Sequence, residues 1–169
     1  MLGRHRPNVQ KLARRGKASR LLRALSYRDE LTDRDGNVFD LGVDIRRQAA
    51  VELADFEGLD VFDALVAALD DAGTRGAAAT ALGQLHDSRA TEALIELLHE
   101  PEPEIRAAAA RALGAIKDPR AVEALVAAAP DPEYEVREAA IQALEGLWSV
   151  AALSELRERL SGEHEGLGS

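Results

Sequence analysis

The fold is decided by the stretch IRAAAARALGAI at residues 105–116, which DPRAVEALV follows at residues 118–126. The first part of this unit recurs along the chain, and its arginine steps by 29, 31 and 31 residues through Arg46, Arg75, Arg106 and Arg137. A second apolar segment follows each arginine copy. A period of about 30 residues that carries two helical patterns is typical of a stacked helical array.

Apolar residues within each copy fall at helical spacing. Around Arg106 they are Ile105, Ala109, Leu113 and Ile116, which mark one face with a period near 3.6 residues. We therefore predict an all-α fold, a right-handed α–α superhelix (α-solenoid) of about five helical hairpins. The predicted organisation is a basic capping hairpin over 1–28, with helices at 8–15 and 18–25, and a polar loop insertion over 29–43 with a tight turn at 35–37. Two-helix repeats follow over 44–160, and a disordered tail over 161–169.

Local signals predict where individual helices begin and end. Asp118 and Asp131 each precede a proline, which places a capping carboxylate before a first helical turn. Gly83 and Gly114 are expected to allow close packing or helix termination. The last pair is predicted to break before a second helix at 150–160, with Trp148 sealing the final layer.

Charge is distributed unevenly. Residues 1–28 hold nine Lys or Arg and no acid, while the other 12 basic and all 30 acidic residues give 29–169 a net charge of −18. This asymmetry is typical of a contact with nucleic acid, a membrane or an oppositely charged partner. The acidic, lysine-poor composition also suits a salt-loaded cytoplasm, so we expect a halophilic, archaeal source. A GC-rich genome is the alternative explanation of the preference for arginine over lysine.

Composition bounds the class of protein. The absence of cysteine excludes disulfides and thiolate metal sites. No apolar run approaches the ~20 residues that a membrane helix needs, and residues 1–6 lack the apolar stretch of a secretory signal. We therefore expect a cytoplasmic protein without membrane contact, and a monomer or weak homo-oligomer.

The unit IR-x-x-AA-x-x-LG-x-I … DPRAVEALV resembles the HEAT-like repeat family named after phycobilisome lyases. The resemblance is close over 74–160, looser over 44–73 and loosest over 1–28. It implies an architecture more than an activity, because the family includes scaffolds, chaperone-like factors, bilin lyases and enzymes.

The resemblance implies a structural role for the repeated arginines. In such arrays an acid and an arginine form a ladder that links neighbouring repeats and fixes their register. Here an acid stands six residues before three of the four arginines, whereas Leu69 precedes Arg75. The implied ladder is Arg46, Arg75, Arg106 and Arg137 with Asp40, Glu100 and Asp131.

The resemblance also implies that the arginine-bearing helices line a concave surface. Its variable positions include Arg47, Gln48, Val51, Asp55, Thr80, Gln84, Arg111 and Gln142, and small residues such as Ala107, Ala108 and Ala139 lie between them. Such a groove admits a partner helix. The alternative is that this strip only faces solvent.

The basic segment adds Arg14 and Arg15 to the predicted partner-binding residues. It is interpreted as an end cap or partner-docking element, as a nucleic-acid contact or as a transit peptide, and these alternatives stay open. The four histidines are scattered, and His99-Glu100 and His164-Glu165 do not occupy the helix-start positions that hold the two irons of deoxyhypusine hydroxylases. No metal, cofactor or catalytic set is therefore expected.

These observations predict a non-catalytic scaffold or adaptor that binds another protein through the concave face and the basic first repeat. The first alternative is a nucleic-acid-binding module that uses the basic segment. The second is a lyase- or chaperone-like assembly factor of the phycobilin lyase type, which would need a pocket for a tetrapyrrole.

Overall fold

The structure is a computed structural model, and it describes residues 18–32, 38–40, 42–56 and 58–162. Two short strands, β1 (Glu30–Thr32) and β2 (Val38–Asp40), pair antiparallel. The helices within the described residues are α1 (Ala18–Leu25), α2 (Val43–Leu53), α3 (Leu59–Ala67), α4 (Arg75–Gln84), α5 (Thr91–Glu96), α6 (Pro103–Ile116), α7 (Val122–Ala128) and α8 (Tyr134–Gly162). Short 3₁₀ turns adjoin α3, α5 and α7.

The arginine copies form the first helix of each hairpin, namely α2, α4, α6 and α8, and the segments between them form the second helices α3, α5 and α7. The chain divides into two compact units, Met1–Ala90 and Thr91–Ser169. No helix within the described ranges has both the length and the apolar character that crossing a membrane requires.

The first unit is built around α2. This helix packs against α1 and α4, and α3 packs against α1 and α4 as well. Four leucines, one from each helix, are fully buried at its centre: Leu21, Leu53, Leu65 and Leu82. Their burial removes several apolar side chains from water, each worth about 1.5–3 kcal/mol, which holds together helices too short to persist alone.

The second unit is built around α6. This helix packs against α5 on one side and against α8 on the other, and α7 packs against α8. Leu94, Leu113, Leu125 and Val136 are fully buried. At Gly114, an added Cβ would lie 2.8 Å from Ala143 Cβ, so the glycine permits the close approach of α6 and α8. This is the close-packing role expected for Gly114.

Helix termination after α4 and α6 does not use a glycine. The chain reverses at His86 (φ 51°) and Lys117 (φ 59°), two residues in the left-handed region at equivalent positions of successive repeats. Each is followed by an aspartate, Asp87 or Asp118, that begins the next turn. Neither position is a glycine, because other residues also adopt this conformation at a modest cost. The sequence therefore did not mark these two reversals.

The predicted break in the last pair is wrong. α8 runs without interruption from Tyr134 to Gly162, so the expected second helix at 150–160 is part of the first, and the helix enters the segment predicted as a tail from 161 onward. The position equivalent to His86 and Lys117 is Trp148, and Ser149 replaces the following aspartate. A bulky aromatic residue disfavours the left-handed reversal, and the aspartate that begins the next turn is missing.

Two further expectations meet the structure in the amino-terminal region. The insertion over 29–43 carries the β1–β2 pair where a loop was predicted, although the turn at 35–37 lies outside the described residues. α1 matches the predicted second helix of the capping hairpin. The first helix of that hairpin, predicted over 8–15, also lies outside the described residues, as do 163–169.

Candidate interaction surface

Corresponding positions of the first helices fall into two kinds. The second alanine of the first three copies, Ala50, Ala79 and Ala110, is completely buried. The next residue is exposed in every copy and its identity changes each time, through Val51, Thr80, Arg111 and Gln142. Positions that stay the same across repeats therefore serve packing, and the exposed positions carry the variation.

In the first unit, the predicted strip begins with three exposed residues spaced four apart, Arg47, Val51 and Asp55. Arg47 Nε donates to the main-chain oxygen of Gly73 at 2.5 Å, which fixes the start of this strip. Gln48 is half-buried, so it contributes less exposed surface than predicted.

The strip residues of α4 are also exposed. They are Thr80 and Gln84, and the Thr80 hydroxyl donates to the main-chain oxygen of Gly76 at 3.0 Å. This local bond uses the hydroxyl proton and leaves the oxygen able to accept a hydrogen bond.

In the second unit, Arg111 and Gln142 lie on α6 and α8 and line the same shallow depression of about 160 Å³, together with Gly114, Ala139 and Ala143. The structure therefore brings these two predicted residues together. The small residues of the predicted strip behave differently from expectation, because Ala107, Ala108 and Ala139 are buried. They pack the helices and do not form the floor of an open groove.

Arg46 is the most deeply buried arginine of the predicted ladder, with 1% of the residue exposed. Its Nε donates to Asp71 Oδ2 at 2.9 Å, and Nη1 donates to the main-chain oxygen of Tyr27 and to Asp40 Oδ1, both at 3.0 Å. Nη2 completes a bidentate pair with Asp40. β2 ends at Asp40, so the unpredicted strand pair delivers one of the two carboxylates.

Arg106 also binds a carboxylate and main-chain oxygens, but with a different set of partners. Its Nε and Nη2 donate to the two carboxylate oxygens of Asp131 at 2.8 and 3.0 Å, and Nη1 donates to the main-chain oxygens of Glu100 and Pro101. The prediction that the Glu100 carboxylate pairs with Arg106 is therefore wrong. The carboxylate comes from 25 residues further along the chain, just as Asp71 follows Arg46.

Main-chain oxygens occupy the predicted acid position at the other two arginines. Arg75 Nε donates to the main-chain oxygen of Leu69 at 2.6 Å, and Arg137 Nη1 donates to that of Asp131 at 2.9 Å. The residue six positions before each arginine thus contributes its carbonyl in three copies and its carboxylate only at Asp40. The loop preceding each first helix presents its carbonyl regardless of side chain, so an acid is not required there.

These contacts perturb the titration of the aspartates. Hydrogen bonds from Arg46 hold the pKa of Asp40 below its ordinary value, and those from Arg106 do the same to the pKa of Asp131. The pKa of Arg46 is raised, chiefly by its bond to Asp40. The two ion pairs, Arg46 with Asp40 and Arg106 with Asp131, are therefore charged at neutral pH.

A second repeated cluster was predicted only in part, through the capping carboxylate of Asp118. Asp118 accepts from the main-chain and side-chain nitrogens of Arg120, and Thr91 Oγ1 donates to it at 2.9 Å. The hydrogen bonds from Arg120, ahead of that from Thr91, lower the pKa of Asp118 to about 2. Asp87 and Arg89 repeat the pair one repeat earlier, where Arg89 also lies 4.0 Å above the Phe62 ring. The signal was the recurring Asp-x-Arg-Ala spacing.

Part of the basic segment lies within the described residues. Arg20 and Arg23 are exposed on α1, whereas Arg28 pairs with Asp71 at 3.0 Å. Arg14 and Arg15 lie outside the described residues. At the other end of the chain, the expectation that Trp148 seals the final layer is wrong, because this side chain is 57% exposed.

No group of three or more metal-ligating side chains occurs in the part of the chain that the structure describes. His86 and His99 are both exposed.

Comparison with known proteins agrees with the helical-repeat geometry. A family model described as HEAT repeats matches residues 42–105, 62–145 and 91–167. Among curated protein sequences, none matches this chain. A designed armadillo repeat protein, 20% identical, superposes with a TM-score of 0.56 over 82% of this chain and 68% of its own, and shows the fold alone.

Two natural proteins are also similar in structure. Human deoxyhypusine hydroxylase in complex with glycerol has a TM-score of 0.62 and 25% identity, covering 88% of this chain and 49% of the hydroxylase. The complex of CpcE and CpcF of phycocyanin lyase from Nostoc sp. PCC7120 has a TM-score of 0.65 and 26% identity, covering 88% and 60%. The chain thus spans about half of the first and three fifths of the second.

These findings confirm the α-solenoid class and the HEAT-like resemblance. The family model covers well over half of the sequence, in three overlapping matches that follow the arginine copies. The chain therefore belongs to the HEAT-repeat family.

Proposed function

We propose that the chain is a non-catalytic scaffold that binds another protein through the exposed, variable positions of its first helices. The observation that carries this proposal is the contrast between adjacent positions of three copies. Ala50, Ala79 and Ala110 are buried, whereas the residues that follow them are exposed and all different: Val51, Thr80 and Arg111. Repeat proteins recognise partners through such positions while the constant ones maintain the stack.

The chemistry of the strip suits a protein surface. In the first unit it combines an exposed apolar side chain, Val51, with a cation and an anion at Arg47 and Asp55. In the second, Arg111 stands beside a depression of about 160 Å³, which is smaller than the roughly 300–1,000 Å³ of ligand pockets. A small depression beside an arginine accepts a side chain of a partner more readily than a whole small molecule.

The perturbed ionisable groups support a non-catalytic role. Shifted pKa values mark candidate active sites, and the strongest here belongs to Asp118. Its partners, Thr91 and Arg120, hold together the turn that starts α7. The Arg46 guanidinium is likewise hydrogen-bonded to Asp40, Asp71 and a main-chain oxygen. These groups have structural partners that a reaction would have to break.

Site-specific photo-crosslinking in an extract of the source cells tests the proposal. A benzoylphenylalanine residue at 80 or 142 should trap one discrete protein partner, and the same residue at 96 or 123, exposed on second helices, should not. Arg111→Glu should reduce the adduct formed at 142, whereas the matched charge reversal Lys117→Glu should leave it unchanged. Equal crosslinking from first and second helices, or none from either, would contradict the proposal.

The basic segment is proposed as an additional protein-docking element. Of its arginines on described residues, Arg28 is already paired with Asp71, and Arg20 and Arg23 remain exposed. A gel-shift assay with duplex DNA separates this role from nucleic-acid binding. Phosphate contacts would produce a complex at low salt that disappears steeply as salt rises. Such a complex, lost on Arg20→Glu and Arg23→Glu, would replace protein docking with the nucleic-acid alternative.

A lyase-type factor requires room for a tetrapyrrole. One depression in the first unit, lined by Leu22, Leu25, Ala64, Ala67 and Thr74 among others, has a volume of about 300 Å³. This lies at the lower end of the range that holds drug-sized ligands, which favours the scaffold. A bilin that binds saturably in an absorbance titration would favour the lyase-type factor instead.

A further inference from the structure

α8 carries three large exposed side chains along one face. Tyr134, Ile141 and Trp148 are 65%, 47% and 57% exposed, and they follow each other at intervals of seven residues. Seven residues are close to two helical turns, so the three side chains form one stripe that drifts by only about 20° per interval. Isolated exposed apolar residues are ordinary, but an aligned stripe with two aromatic members calls for an explanation.

The repeat pattern shows what this stripe corresponds to elsewhere. Ile141 occupies the position of Ala110, which is fully buried on α6. Gly114 follows Ala110 by one turn and touches Ala143 of α8. Ala110 and Gly114 thus lie on the side of α6 that the next layer covers. Ile141, the centre of the stripe, lies on the same side of α8, and no described residue of the second unit covers it.

The composition of the stripe argues against another layer of the same kind. Such a layer would have to approach α8 as closely as α8 approaches α6, where even a Cβ at Gly114 would collide with Ala143. On α8 the glycine position holds Glu145, which is exposed. A covering helix must therefore stand further away, at a distance that Ile141 and the two aromatic side chains can bridge.

Charge selects the type of helix. Glu138 and Glu145, both exposed, lie three residues before and four residues after Ile141, so they flank the stripe on one side. Self-pairing through this face would oppose the same carboxylates from two copies, in a chain whose net charge is −9. A helix with apolar residues on one face and lysine or arginine beside them meets both requirements.

We propose that the Tyr134–Ile141–Trp148 face of α8 binds a basic amphipathic helix of a partner protein. The helix inserts apolar side chains between the three anchors and places its cations against Glu138 and Glu145. This surface is distinct from the Arg111–Gln142 depression, so it adds a second contact to the proposed scaffold and does not depend on the first.

Trp148 is the single tryptophan of the chain, so its fluorescence reports directly on binding at this surface. The probe is a synthetic peptide of about 20 residues with leucine along one helical face and lysine beside it. One comparison peptide carries glutamate in place of lysine, and another keeps the lysines but carries serine in place of leucine. The full chain should show a saturable blue shift of Trp148 emission with the first peptide and none with the other two.

Variants localise the binding. Ile141→Ser should weaken the lysine–leucine peptide about tenfold, the loss expected for an interface anchor. Val126→Ser, at a 50% exposed residue of α7, is the matched control and should leave the affinity unchanged. Glu138→Lys combined with Glu145→Lys should reverse the preference in favour of the glutamate peptide, which a general attraction to an acidic protein would not do.

Three results would overturn the proposal. They are no saturable shift, an equal shift with the serine-containing peptide, and an equal loss of affinity in the Val126 and Ile141 variants. Sedimentation of the chain alone provides a further check, since a dimer that Ile141→Ser dissociates would assign the face to a second copy. None of these results bears on crosslinking at positions 80 and 142, so failure here is separable from failure of the proposed strip.

Discussion

α6 and α8 are built from the same repeat motif and differ in what covers them. On α6, Ala110 is fully buried and Gly114 touches Ala143 of α8. On α8, the same two positions hold Ile141 and Glu145, which are exposed. The comparison teaches that side-chain size at these positions follows the presence of a stacked layer, because a close neighbour excludes even one extra methyl group.

The arginines of the two helices extend the contrast. Arg106 is fixed by both carboxylate oxygens of Asp131, a side chain that is 11% exposed, and by two main-chain oxygens. Arg137 donates to two main-chain oxygens and lies 5.8 Å from the centre of the Tyr134 ring. Arg106 thus binds a carboxylate of the next repeat, whereas the contacts of Arg137 among the described residues lie in its own loop and first turn.

The largest expected effect is the loss of the arginine from the interior layer. Arg106→Met leaves the Asp131 carboxylate without its partner in a poorly hydrated place and should lower the free energy of unfolding by about 3 kcal/mol. Arg137→Met leaves only carbonyl oxygens unpaired, nearer to solvent, and should cost about 1 kcal/mol. Urea denaturation of both variants measures the difference, and equal losses would contradict the distinction between the two layers.

Acid should erase the difference between wild type and Arg106→Met. The bond from Arg106 lowers the pKa of Asp131 from its ordinary value of 3.8. A carboxyl whose pKa is lowered by folding contributes stability above its ordinary pKa and loses that contribution as pH falls through the lowered value. The gap in unfolding free energy between the two proteins should therefore be constant from neutral pH to about pH 5 and shrink below about pH 4. Denaturation at several pH values, with Asp131→Asn as the control that removes the titrating group, measures this gap.

Two glycines of α6 and α8 should respond in opposite directions to the same substitution. A Cβ at Gly114 would lie 2.8 Å from Ala143 Cβ and 2.9 Å from its Cα, whereas a Cβ at Gly146 meets nothing within 4 Å. Gly114→Ala should therefore destabilise the protein by about 2 kcal/mol through overpacking. Gly146→Ala should stabilise it by about 0.5–1 kcal/mol, because alanine is the better helix former. Thermal unfolding of the two variants is the measurement, and a shift of the same sign in both would contradict the packing difference.

Much of the fold was predictable because the repeat encodes it redundantly. Arg106 and Ala109 have equivalents in every copy, and Gly114 has one in Gly83, so the copies reinforce the reading of one another. The helix α1 and the capping roles of Asp118 and Asp131 also followed from local signals. The continuity of α8 was not predicted. It results from the lack of turn-forming residues at Trp148 and Ser149, and a missing signal does not stand out in a sequence.

The candidate surface was only partly predictable. Exposure of Arg111 and Gln142 followed from the repeat register, but the burial of Ala107 and Ala108 did not, since alanine is equally at home in either environment. The carboxylate partner of Arg106 was assigned to Glu100 instead of Asp131, because a sequence offset of six residues does not distinguish a carboxylate contact from a carbonyl contact. The exposed face of α8 was missed for a third reason: only the packing shows that no described residue of the second unit covers Ile141.

The smallest expected effect concerns charge on the two helices. Glu104 lies in the first turn of α6, where the helix dipole favours a carboxylate, so Glu104→Gln should cost about 0.3–1 kcal/mol at low salt. Glu138 and Glu145 lie further along α8, in a chain of net charge −9, so neutralising both to glutamine should stabilise by a few tenths of a kcal/mol.

High salt should reduce the effect on stability of both changes, Glu104→Gln and the neutralisation of Glu138 and Glu145. Between about 0.1 and 1 M KCl the screening length falls from about 10 to about 3 Å, and the melting temperature of the wild type should rise as repulsion among the acids of residues 29–169 is screened. The doubly neutralised protein should gain less from KCl than the wild type does, because part of its repulsion is already gone. Identical salt responses would place the repulsion elsewhere on the chain. A flat wild-type response would instead mean that this acidic surface is tuned to something other than a salt-rich medium, and the basic helix proposed for α8 is the kind of partner that would account for its carboxylates.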